Sequence, residues 1–100
     1  MFAISGALFE PNFKILGITS SQFNTSPYAS LNTSRESKII NDMILKLTGN
    51  TLIPSVEGAS KPISNTTNIV NSEASTFIID KASYYSIENP LHIVILGSCT

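Results

Sequence analysis

Apolar positions in this chain come in short blocks separated by polar stretches, and the blocks carry two different periods. Ile39, Ile40, Met43, Ile44 and Leu47 recur at the three- and four-residue spacing that lines one face of an α-helix. Thr33 and Glu36 precede them with the Thr-x-x-Glu spacing of a capping box, and Gly49 follows where a C-terminal cap favours glycine. A helix starting at Thr33 is therefore predicted, with its apolar stripe packed on a sheet. A second opens at Ser72-Glu73, with Ala74, Phe77, Ile78, Ala82 and Tyr85 on its buried side and Glu73 in its first turn. Near the start, Phe2, Ile4, Ala7 and Leu8 share a helical face, and Pro11 bars continuation. No capping residue precedes Met1, so this stretch reads as the tail of a helix.

The remaining apolar blocks read as strands. Ile15, Leu16 and Ile18 form a short run within 13–21, interrupted by Gly17 and leading to Thr19-Ser20-Ser21. Leu52-Ile53-Pro54-Ser55-Val56 is a second candidate, weakened by Pro54 and ended by Gly58. The third is the unbroken run Leu91-His92-Ile93-Val94-Ile95-Leu96, which reaches Gly97 and the polar tip Ser98-Cys99-Thr100 and reads as a buried parallel strand. Residues 22–32 and 59–71, rich in Asn, Ser and Thr and holding Pro27 and Pro62, are loops. The order helix, strand, helix, strand, helix, strand predicts an α/β fold: a partial, open, mainly parallel sheet with flanking helices and right-handed crossovers. The first helix lacks the strand that should lead into it, and ligand sites gather beyond the carboxyl ends of parallel strands, where this sequence stops. That is the pattern of a fragment, one partial domain over residues 1–100.

Composition narrows the partners. The 100 residues are 42% hydrophobic and 13% charged with a formal net charge of −1, which suits one modest globular core. Six Lys and Arg are scattered along the chain, so no basic patch for nucleic acid is expected. No apolar run reaches the about 20 residues a membrane span needs, and the basic start of a signal peptide is missing. A soluble, cytoplasmic protein without nucleic-acid or membrane partners is the expectation.

Candidate chemistry is sparse. Cys99 is the single cysteine and lacks a neighbouring base, so it reads as a small apolar filler. His92 sits inside the last apolar run, where a structural imidazole is expected, and Asp42 and Asp80 read as solvated positions on helices. Gly17, Gly49 and Gly58 match no phosphate-binding pattern, and the seven acidic residues form no cation-binding loop. The tips Thr19–Asn24 and Ser98–Thr100 stand out by their places after parallel strands. Asn24 there suits either a ligand hydrogen bond or an Asx-turn.

Leu16-Gly17-Ile18-Thr19-Ser20-Ser21-Gln22-Phe23-Asn24 resembles the second-strand motif of inosine/uridine-preferring nucleoside hydrolases, an apolar strand running into Ile-Thr with an Asn a few residues later. Ile53-Pro54-Ser55-Val56-Glu57-Gly58-Ala59, with Lys61-Pro62 after it, is similar to the family's Ile-Pro-Val-x-x-Gly segment and its Lys/Arg-Pro. Ser72-Glu73 ahead of Phe77-Ile78-Ile79 resembles the helix start of a nucleoside hydrolase-like subgroup, and 90–100 resembles its Pro-Leu-x-(apolar)-Gly-x-x-Thr strand. Residues 1–8 resemble the helix after the family's Asp-x-Asp-x-x-x-Asp-Asp cluster, without that cluster.

The resemblance implies a Rossmann-like core with its first strand missing, taken from a hydrolase that cleaves the N-glycosidic bond of ribonucleosides with a calcium-activated water. It implies that Asn24 binds a ribose hydroxyl, that Thr100 offers its backbone carbonyl to calcium, and that the general-base aspartate lies upstream of Met1. The parent would be an enzyme acting on a small-molecule nucleoside, and a homo-oligomer. Phe23 stands where the family usually has Gly, and no His occurs in the 59–71 loop. The 100 residues alone are expected to be inactive, to bind calcium poorly and to be poorly soluble, with a sheet edge and apolar helix faces exposed. The alternative is a small α/β binding or interaction domain without catalysis.

Overall fold

The computed structural model describes residues 2–22, 32–60 and 71–96. Three helices and two short strands alternate along it: α1 (Phe2–Leu8), β1 (Ile18–Thr19), α2 (Thr33–Leu47), β2 (Ser55–Val56) and α3 (Glu73–Ala82). The α/β character is as the sequence predicts, and β1 and β2 pair in parallel with Ile18 opposite Ser55 and Thr19 opposite Val56.

Local chemistry explains where the helices begin and end. Asn32, one residue before Thr33, caps α2: its Oδ1 accepts from the Arg35 N–H at 3.2 Å and from the Ser34 hydroxyl at 3.0 Å. This corrects the expected Thr33–Glu36 capping box. With the cap shifted back by one residue, Glu36 falls a position too late to close the box, and Thr33 and Ser34 enter the first turn, where both are buried. At the other end Asn50 N–H donates to Leu45 O at 2.8 Å and Gly49 N–H to Lys46 O at 3.3 Å. These are the two bonds of a Schellman motif, and they require the left-handed backbone that Gly49 adopts at φ 78°. A reciprocal box opens α3, with Ser72 Oγ accepting from Ser75 N–H at 3.1 Å and Ser75 Oγ accepting from Ser72 N–H at 3.0 Å.

The strands are shorter than the apolar runs that announced them. Ile18 N–H donates to Pro54 O at 2.9 Å and Ser20 N–H to Val56 O at 3.0 Å, extending the ladder one bond beyond each end. Pro54 thus contributes the carbonyl it retains; the N–H it lacks limits pairing before β2. Side chains alternate between the faces of a strand. Ser55 borders a hollow together with Asp42 and Leu45 of α2, whereas Val56 borders one with Thr76 and Phe77 of α3. The two helices therefore cover opposite faces of the sheet.

Two expectations about burial are corrected. The α2 residues turned inward include Ser34, Asn41, Ile44 and Leu45, while Ile39, Ile40, Met43 and Leu47 face solvent, Leu47 at 81% exposure. Two short strands present too narrow a surface to cover the whole apolar stripe. On α3, Ala74 is buried and Phe77, Ile78 and Tyr85 are half-buried as expected, but Ala82 is exposed. The expected third strand does not form: residues 91–96 pair with no described strand, and Ile93, Val94, Ile95 and Leu96 are 58% to 74% exposed. Among the described residues, no helix is long and apolar enough to cross a membrane.

Two close approaches hold the layers in register. A Cβ on Gly17 would lie 2.5 Å from Phe77 Cζ, so the ring of α3 rests directly on the backbone of β1. A Cβ on Gly58 would collide with the backbone carbonyl oxygen of Ser20. Phe77 can swing aside, whereas the Ser20 carbonyl is backbone of a residue whose N–H is fixed to Val56 O. Gly17→Ala should therefore cost about 1 kcal/mol and Gly58→Ala about 3 kcal/mol, read as an ordered loss of urea midpoint; equal midpoints would contradict this packing.

Candidate functional site

Ligand sites of parallel sheets form beyond the carboxyl ends of the strands. Here those ends are 20–22 after β1 and Glu57-Gly58 after β2, brought side by side by the parallel register. The Gly58 N–H donates to Ser20 Oγ at 3.2 Å, and the Ala74 N–H donates to Glu57 O at 3.0 Å. The first of these bonds ties the two tips together, and the second fastens the start of α3 to them. Ser20 and Gln22 are buried, as are Ser34 and Asn41 on the face of α2 turned toward the sheet.

Alternation puts Ser55 and Glu57 on the α2 side of β2. Ser55 Oγ and Glu57 Oε1 are both shut off from solvent without a hydrogen-bond partner. Buried polar atoms are almost always paired, so these two mark the least satisfied part of the interior. Below them, Lys38 Nζ donates to Asp42 Oδ2 at 2.8 Å across one helical turn. This bond, more than any other influence, holds the Asp42 carboxyl below the usual carboxylate range. The Ser55 hydroxyl adds to the effect, lying close enough to favour the charged form without closing a well-formed hydrogen bond.

The tips offer hydroxyl, amide and carboxylate groups suited to hydrogen-bonding a hydroxyl-rich ligand. Among the described residues, no group of three His, Cys, Asp or Glu side chains is placed to hold a metal ion.

The sequence-derived candidates are placed unevenly. Asn24, Cys99 and Thr100 lie outside the described residues. His92 is exposed on the unpaired 91–96 segment, which corrects its reading as a buried structural imidazole. Asp80 is exposed, as a solvated helix position should be, and Asp42 is partly exposed and ion-paired. Ser20 and Gln22 belong to the tip that the strand reading singled out. Glu57 was not singled out, although polar residues at positions 55 and 57 of an otherwise apolar stretch already signal a polar strand face. The comparisons bring no match: no family model, no curated protein and no solved structure corresponds to this chain.

The Lys38–Asp42 pair yields a test with a definite sign. A carboxyl whose folded pKa is depressed adds stability above its unfolded pKa and loses it as acid protonates the folded form. With the Asp42 side chain 44% exposed, solvent screening holds the contribution to about 0.5 kcal/mol or less. Asp42→Asn should lower the urea midpoint slightly at neutral pH. The difference from the unsubstituted chain should close as pH falls through and below the ordinary carboxylate range; a gap that persists in acid would exclude the ion pair as its source.

Proposed function

We propose that this chain forms part of the catalytic domain of a hydrolase that cleaves the N-glycosidic bond of ribonucleosides, contributing the sugar-binding strand tips. The observation that carries this reading is the parallel register of β1 and β2, with the capped helix α2 between them in sequence and α2 and α3 on opposite faces. A Rossmann-like core is built from such units. The ordered motifs from Leu16 to Thr100 lead in the same direction.

In this reading Asn24, a few residues beyond β1, hydrogen-bonds a ribose hydroxyl, and the buried Ser20 holds the base of that tip against Gly58. Calcium, where bound, would polarise the attacking water. In this reading the part of the described residues is to bind and orient the sugar. The resemblance places the general-base aspartate upstream of Met1 and assigns the Thr100 carbonyl to the metal.

A second reading has an observation of its own. The exposed Ile39, Ile40, Met43 and Leu47 on α2 suit a non-catalytic α/β module that works through its surface.

An assay of the gene-encoded protein, with all flanking sequence its reading frame supplies, separates the two. Inosine and uridine should each be tested for ribose release. The hydrolase reading expects ribose to appear, to be lost on calcium chelation, and kcat/KM to fall about tenfold in Asn24→Ala, the effect of one substrate hydrogen bond. No ribose from either nucleoside, by a protein whose circular dichroism shows it folded, leaves the binding-module reading.

A further inference from the structure

We draw no further inference here: the strongest candidate, the polar side-chain cluster between β2 and α2 that holds the unpartnered Ser55 Oγ and Glu57 Oε1, belongs to the strand-tip site already described, and nothing in the structure shows what would pair with those two oxygens.

Discussion

The pairing of two very short strands sets the position of everything else in this fold. Ile18 N–H to Pro54 O and Ser20 N–H to Val56 O are the bonds that extend the ladder, and each joins residues far apart in sequence. Around them the backbone comes close enough that Gly58 has no room for a side chain beside the Ser20 carbonyl. Phe77 then lies on Gly17, seating α3, while Ser55 meets α2 on the other face. A slip of one residue would exchange those faces, presenting Ser55 to α3 and Val56 to α2.

This arrangement leaves an interior that is unusually polar for its size. Among the described residues the buried apolar ones are Ile44, Leu45 and Ala74, and the buried polar ones Ser20, Gln22, Thr33, Ser34 and Asn41. Burying Ile44 and Leu45 contributes about 1.5–3 kcal/mol each and Ala74 less, a small offset against the conformational entropy that folding removes. A two-stranded sheet adds little stability of its own. The helices are better provided for locally, through the Asn32 cap, the Schellman motif at Gly49 and the Ser72–Ser75 box. Local order in the helices therefore exceeds the cohesion between layers.

The polar interior lies where function would use it. Ser20, Gln22 and Glu57 gather at the carboxyl ends of both strands, and the Ala74 N–H brings the start of α3 to the same place. Ser55 and Glu57 there each keep a buried oxygen without a hydrogen-bond partner, a cost that an apolar core would not carry.

Periodicity and capping chemistry are local, and they made the helices legible: the runs through Ile44 and Phe77, Pro11 after the first helix, and Gly49 after the second all acted through neighbours within a turn or two. The placement of Asn32 rather than Thr33 at the cap was within one residue for the same reason. At the candidate site, the tip after Thr19 was legible from strand order, while the role of Glu57 depended on which face of β2 met α2. Burial was decided by tertiary structure. The apolar stripe of α2 could be read from spacing, but which side it turned inward depended on the width of a sheet only two strands across. The run at 91–96 shows the same limit. Its sequence determined an apolar, β-prone segment, and the absence of a described neighbouring strand left it unpaired, because a strand is completed by hydrogen bonds it cannot make to itself.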